Sequence, residues 1–316
     1  MAGVTLSLVV PVYRNAAGIA ALLDAVEALN ATLDQRLEAV FVVDGSPDDC
    51  YARLQEALPR AGFASQLLAH SRNFGSFAAI RSGLQAATGD YFCVMAADLQ
   101  EPPELAAQAF AALEADRCDV ALARRTHRAD PVLSRISSQA FWWCYRKLVV
   151  PDMPEGGVDV FGCNRAFRDQ LLTLGESRSS LIALLFWLGF RREIIDYQRQ
   201  PRAHGRSAWT LARKLAYMTD SVFAFTDLPI RLLIRIGMLG TLIAVVGGSA
   251  VLAARLLDLI RVPGYAAIML VLFFFGTLNL LALGLVGTYA WRAYENTKQR
   301  PLGIVMSCRQ FSPARP

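Results

Sequence analysis

No two cysteines in this 316-residue chain stand at CxxC or metal-finger spacing. The six, Cys50, Cys93, Cys118, Cys144, Cys163 and Cys308, are scattered. This excludes a zinc-ribbon framework and reads as idle thiols in a reducing compartment. Charge is scarce as well. Only 19% of residues are Asp, Glu, Lys or Arg against 54% hydrophobic, a balance foreign to a disordered chain or a small disulfide scaffold. Lys plus Arg number 32 and Asp plus Glu 27, a net charge of +5. That mild excess suits phosphate-bearing partners, anionic lipid included, and does not point to nucleic acid. There is no internal repeat and no low-complexity stretch. Nor do the first residues show a basic segment, an apolar run and a small-residue cleavage site. The apolar string 6–12 is too short for a leader and reads as a buried strand, so the front of the chain is expected in the cytoplasm.

Mean hydropathy is nevertheless +0.33, and most of that apolarity lies late in the chain. Residues 232–257 are apolar apart from Arg235 and Arg255 near their ends, and 265–291 carry no charge. As helices each covers about 39 Å, more than the ~30 Å hydrocarbon core of a bilayer. The connector 258–264 is short and forces an antiparallel hairpin. It has one basic residue, Arg261, whereas the stretch beyond has Arg292, Lys298, Arg300, Arg309 and Arg315 against Glu295. The positive-inside rule then puts the tail 292–316 and the large N-terminal part in the cytoplasm, with the hairpin in the inner membrane. Gly240, Gly247, Gly248, Gly284 and Gly287 permit close helix packing, compatible with a homo-oligomer such as a tetramer.

Earlier in the chain, strand and helix patterns alternate. Near-continuous apolar runs at 6–12, 39–43, 91–95 and 119–123 suit strands buried on both faces. Helical patterns at 19–29, 49–58, 76–87 and 103–114 fall between them. The order predicts an α/β fold with a mostly parallel sheet, and ligands of such sheets bind beyond the carboxyl ends of the strands. Four polar clusters sit at such ends: Pro11-Val12-Tyr13-Arg14-Asn15, Asp44-Gly45-Ser46-Pro47-Asp48, Ser71-Arg72-Asn73-Phe74-Gly75 after a strand around Ala69-His70, and Ala96 through Glu104. Any one of them could be turn chemistry alone; four in succession outline a site.

These strings carry a specific resemblance. VVPVYRN, VVDGSPDD, SRNFGSFAAIRSGLQAATGDY and AADLQEPPEL resemble a family 2 glycosyltransferase of the GT-A fold, in the branch that loads sugars onto polyprenyl or dolichyl phosphate. The match continues through 157–161, 202–207, 287–289 and 294–301, so it covers nearly the whole chain. It implies a catalytic domain over 1–200, a juxtamembrane amphipathic region over 201–230 and a membrane hairpin over 231–291. Donor contacts are implied at Pro11, Val12, Tyr13, Asp44 and Arg72, with Asp44 reading the base. Asp98 matches the second carboxylate of the family's Asp-x-Asp motif and would hold Mg²⁺ or Mn²⁺ on the donor diphosphate. Arg202 and Arg206 fall in a segment assigned to that diphosphate. Asp159 is offered as base or sugar-orienting carboxylate, orientation being favoured.

The departures are Ala96 for the first Asp of the motif, Ala16-Ala17, Val43 and Ala208. Mg²⁺ typically keeps few protein ligands, so one carboxylate is expected to support a weaker metal site. On the acceptor side, residues 124–147 and 191–214 are strongly basic, and Phe141, Trp142, Trp143 and Tyr145 interleave with the first group. Rings and cations together read as interfacial. Arg135 and Ser138 fit the family's grip on an acceptor phosphate, with Arg124 or Arg125 assisting. The expected reaction is inverting transfer of a sugar from a nucleotide-sugar, a UDP-sugar by preference, to polyprenyl phosphate. The alternatives are a processive polysaccharide synthase, whose Gln-x-x-Arg-Trp string is missing, and a membrane scaffold built on a decayed transferase.

Overall fold

The computed structural model describes residues 5–127, 143, 145–147, 149–154, 158–176, 179–198, 211–257 and 265–314. The chain divides into two compact units, one of residues 1–214 with 300–316 and one of residues 215–299.

The strands of the first unit are β1 (Leu6–Val12), β2 (Leu37–Val43), β3 (Ala64–His70), β4 (Tyr91–Val94), β5 (Val120–His127), β6 (Val158–Asn164), β7 (Arg192–Gln198) and β8 (Val305–Phe311). They form one sheet in the order β7-β5-β6-β4-β1-β2-β3-β8. The centre is parallel: β1 pairs with β2 and β4, β2 with β3, and β5 with β7. Strand β6 runs antiparallel to β4 and β5, and β8 antiparallel to β3. Two consequences follow for one edge of the sheet. The carboxyl ends of β1 to β5 and β7 lie there, and so do the amino-terminal ends of β6 and β8.

The apolar strings make central strands because both faces are covered. Residues of one parity (Leu8, Val10, Phe41) pack with α1 (Ile19–Thr32), α2 (Cys50–Ala57) and α4 (Glu104–Glu114) in a single core. Val9 and Val42, of the other parity, meet α3 (Ser76–Ala86), where a Cβ added at Gly83 would stand 2.3 Å from Val9 Cγ1. Pro11 is tolerated in β1 because its nitrogen faces the β4 side, beyond Val9, the last residue of β1 paired to β4. There it has no ladder bond to lose. Helices α5 (Arg165–Thr173) and α6 (Leu181–Trp187) complete the unit, each with a side-chain cap: Asn164 accepts from Phe167 N–H and Ser180 from Ala183 N–H.

The helices fall within a few residues of their patterns. The strands differ more. Strand β6 reverses direction, and the chain after the second apolar segment, read from sequence as tail, contains β8. Its string, VMSCRQF, is mostly exposed. An edge strand with one neighbour needs no apolar continuity, so its sequence signal is weak.

The second unit takes in most of α7 (Leu211–Phe225), then α8 (Leu228–Leu256) and α9 (Tyr265–Thr297). The windows Leu228–Ala250 and Phe274–Thr297 have mean hydropathies of 1.9 and 1.3, and neither is buried inside the protein. Both helices are long and apolar enough to cross a membrane. Large apolar side chains such as Leu242, Ile243, Leu280 and Leu283 stand exposed along them, as lipid-facing positions do. Near the polar end of α9, Arg292 Nη2 donates to Asp220 Oδ1 at 2.6 Å, and Phe223 lies 5.2 Å from the Tyr289 ring. Helix α7 is thereby fixed to α9.

Candidate active site

The loops after β1, β2, β3 and β4 meet at the shared edge, and three direct ties hold them. The first joins β1 to β2. Asp44 N–H donates to Val12 O at 3.0 Å, Arg14 N–H to Ser46 Oγ at 2.8 Å and Ala16 N–H to Asp48 Oδ2 at 3.0 Å. Burial alone would raise the Asp48 carboxyl. Hydrogen bonds from Cys50, Ser46 and Ala16 outweigh it and hold the group below the usual carboxylate range. Arg14 sits in the left-handed region, φ 51°, so the chain turns sharply after Tyr13 and leaves that ring 39% exposed at the mouth of the edge.

The second tie joins β2 to β3 and centres on Asp44. Its buried carboxylate accepts from Phe74 N–H (2.9 Å) and His70 Nδ1 (2.8 Å) on Oδ1, and from Gly75 N–H (2.7 Å) on Oδ2. A carboxylate only accepts, so Nδ1 is the donor to Asp44, and Nε2 hydrogen-bonds with Ser82 Oγ at 2.9 Å. Gly45 lies directly beneath: its φ is +56°, and a Cβ there would stand 2.2 Å from the Arg72 carbonyl carbon. Only glycine fits that turn. Arg72 is exposed, stacks over the Phe74 ring at 4.0 Å and donates to Asn73 O at 3.1 Å.

The third tie runs from β1 to β4. Asn15 Nδ2 donates to Ala97 O at 2.7 Å, fixing the backbone immediately before Asp98. Asp98 is half-buried and accepts from Gln100 N–H at 3.4 Å across Leu99, whose φ is 53°. No cluster of three His, Cys, Asp or Glu able to hold a metal occurs among the described residues. With alanine at 96, Asp98 is the one carboxylate of the AADLQ string. A donor set of one carboxylate fits a hard cation only where a substrate's phosphate oxygens complete the shell.

The other expected positions are placed as follows. Pro11, Val12, Tyr13, Asp44, Arg72 and Asp98 come together at this edge. Asp159 is on β6 next to Val158, which registers with Arg124, and the reversed strand brings it to the same edge; its side chain lies outside the described positions. Arg124 and Arg125 are at the end of β5. Arg124 is engaged: it binds Asp196 of β7 through two bonds of 2.5 and 2.7 Å, and this pairing holds the Asp196 carboxyl low. Arg135, Ser138, Arg202 and Arg206 lie outside the described residues. The sequence named Asn15 only within the Pro11–Asn15 cluster and His70 only as a strand position, without their roles, and Ser82 was missed. Each acts on another protein group, and the one available signal was a histidine following the apolar run Leu67-Leu68-Ala69 at the end of β3.

The model for the family described as "Glycosyl transferase family 2" matches residues 7–174, from β1 through α5. The chain belongs to glycosyl transferase family 2. It is similar to an undecaprenyl-phosphate 4-deoxy-4-formamido-L-arabinose transferase of Aeromonas hydrophila, 31% identical over 93% of this chain and 91% of the relative. It is similar too to a prophage bactoprenol glucosyl transferase homolog of Escherichia coli K12 (27%, covering 95% and 98%) and to a bactoprenol glucosyl transferase of Shigella phage SfV (27%, covering 96% and 99%). As a family 2 glycosyltransferase the protein is an enzyme. At this edge Arg72 is exposed and Asp98 is a half-buried carboxylate.

Proposed function

We propose that this glycosyltransferase moves a sugar from a nucleotide-sugar, a UDP-sugar first among them, to polyprenyl phosphate, with inversion at the anomeric carbon. The observation that carries the reading is the meeting of four loops around Asp98 and Arg72 in a chain that also bears two membrane-length apolar helices. The relatives named for undecaprenyl-phosphate and bactoprenol chemistry, matched over 91%, 98% and 99% of their length, support it.

In the proposed reaction an acceptor phosphate oxygen attacks the anomeric carbon. A new C–O bond forms as the bond to the diphosphate breaks, and the nucleoside diphosphate leaves with the electron pair. A phosphate monoester has a second pKa near ~6, so the nucleophile is already ionised at neutral pH and a strong base is not required. Catalysis then rests on positioning two anions and screening their repulsion. Asp98 would hold Mg²⁺ or Mn²⁺, and that cation, when bound, neutralises charge on the donor diphosphate. Tyr13 and Arg72 line the donor side, and Asp44 shapes it through the loop it pins. Asp159, at the start of β6, orients the sugar. We assign Arg125, with Arg124, Arg135 and Ser138, to the acceptor phosphate, and Arg202 and Arg206 to the diphosphate. The head and both termini are assigned to the cytoplasmic side of the inner membrane, with the hairpin 231–291 spanning it.

Transfer of radiolabelled sugar from a UDP-sugar into an organic-soluble lipid, with undecaprenyl phosphate as acceptor, tests the reading. We expect a lipid product that disappears with EDTA and returns with excess Mg²⁺ or Mn²⁺. A long polymer would mean a synthase, and no product from any nucleotide-sugar would mean a scaffold.

A further inference from the structure

The edge that holds Asp44 and Arg72 has one more component, and it comes from the far end of the chain. Strand β8 registers along β3 from Phe311 opposite Ser65 to Val305 opposite His70. Just before it, Ile304 O accepts from Ser71 N–H at 3.0 Å, the first amide of the Ser71-Arg72-Asn73-Phe74-Gly75 loop. Gly303 lies against the imidazole of His70: a Cβ there would stand 3.1 Å from Cε1 and Nε2 and 3.2 Å from Ser82 Oγ. His70 is buried, holds Asp44 with Nδ1, and stands edge-on to the Phe74 ring at 5.5 Å. Asp44 in turn grips both amides that end the loop.

We infer that residues 303–305 and His70 form a clamp that sets nucleotide-sugar affinity by holding the 71–75 loop in its binding shape. The inference rests on reading this edge as the donor site. The chain of contacts is continuous: Ile304 fixes one end of the loop, while Gly303 backs the ring that orients Asp44, which fixes the other end. His70 is thus a positioning residue. It reaches no substrate, and its effect passes through a carboxylate and two backbone amides. Glycine at 303 lets the chain lie flat against the imidazole, and a β-branched residue there would displace the ring by several tenths of an ångström or more. Loss of a hydrogen bond to a charged partner, with that carboxylate left buried, corresponds to about tenfold or more in an equilibrium constant.

The test uses the full-length protein with two readouts: amide hydrogen exchange over residues 71–75, and the Kd for UDP. His70→Ala and Gly303→Val are expected to speed exchange in the loop and to weaken UDP about tenfold. His70→Asn, whose amide can replace the Nδ1 donor, is expected to restore both, and Gly303→Ala to fall between. Loop exchange unchanged in both disruptive variants would overturn the clamp. Faster exchange with UDP affinity unchanged would overturn its link to the donor. Uniformly faster exchange across β1 and β2, with no rescue by asparagine, would reduce His70 to a core residue and overturn it also. A wild-type protein that binds neither UDP nor GDP would remove the donor-site reading itself, with the exchange data still reporting separately on the clamp.

Discussion

At the scale of single residues, the site separates groups that would touch substrate from groups that hold them. Asp98 belongs to the first kind. Asp98→Ala should lower transfer by at least about a hundredfold, the scale on which removal of an electrostatic transition-state stabiliser acts, with the protein still recovered in membranes. Ala96→Asp restores a second carboxylate two residues away, and we expect it to lower the Mn²⁺ concentration needed for half-maximal rate. Activity that ignores both changes would remove Asp98 from the chemistry. Asp48 belongs to the second kind. Its carboxyl is held below the ordinary range in the folded protein, so the unfolded chain binds its proton first as pH falls. Its contribution to stability is therefore complete at neutral pH, declines below the ordinary carboxylate pKa and is gone once pH passes the folded value. Asp48→Asn should flatten that part of the acid limb in a pH series of unfolding midpoints. The Asp-Gly-Ser and Ser-Arg-Asn-Phe-Gly strings were legible because charged and turn residues stand out in text. The roles of His70 and Asn15 were not, since their partners, Asp44 and Ala97 O, lie 26 and 82 positions away.

At the scale of elements, legibility followed burial. Strands β1, β2 and β4 are covered on both faces, and their apolar continuity announces them. Strand β7 alternates Arg-Glu-Ile-Ile-Asp-Tyr-Gln and β8 is mostly exposed, so one-sided or edge placement dilutes the pattern. The direction of β6 carries no local sequence signal. It follows from which neighbours are free to pair, and it is what brings Asp159 to the edge. Cysteine reactivity should mirror this layout. Burial pushes the Cys93 thiol up to about 12 and Cys50 up to about 11, and Cys163 is raised further, whereas Cys308 on β8 is exposed. Among the described cysteines, a maleimide applied to the native protein should therefore modify Cys308 first, as peptide mapping would show. Early modification of Cys93 or Cys163 would contradict the described packing. Between α7 and α9 the Asp220–Arg292 pair is half-sheltered, Arg292 being 13% exposed. A double-mutant cycle with Asp220→Ala and Arg292→Ala in detergent should give a coupling of about 1 kcal/mol.

At the scale of the whole molecule, the pairing of β3 with β8 constrains how the chain can be threaded. Residues before and after the apolar helices share one sheet, so the intervening stretch must leave and return on the same side of any bilayer it enters, and its crossings are even in number. Probes attached near Thr5 and at Cys308 should accordingly be reached by an impermeant reagent from the same face of sealed vesicles. Opposite accessibility would refute either the crossing or the strand pairing. The composition already located the apolar mass, and its charge bias chose a side. What text could not reveal was that the polar stretch after α9 is part of the folded head.

That return has a consequence for biosynthesis. A ribosome makes β1 to β7 first, then both greasy helices, and only afterwards the strand that covers β3. Until then the nascent head carries a raw hydrogen-bonding border, the kind of template that recruits stray strands from other chains. Synthesis of both apolar helices thus precedes completion of the sheet, and a molecule stalled or clipped before residue 305 would be an aggregation hazard as well as an unfinished fold.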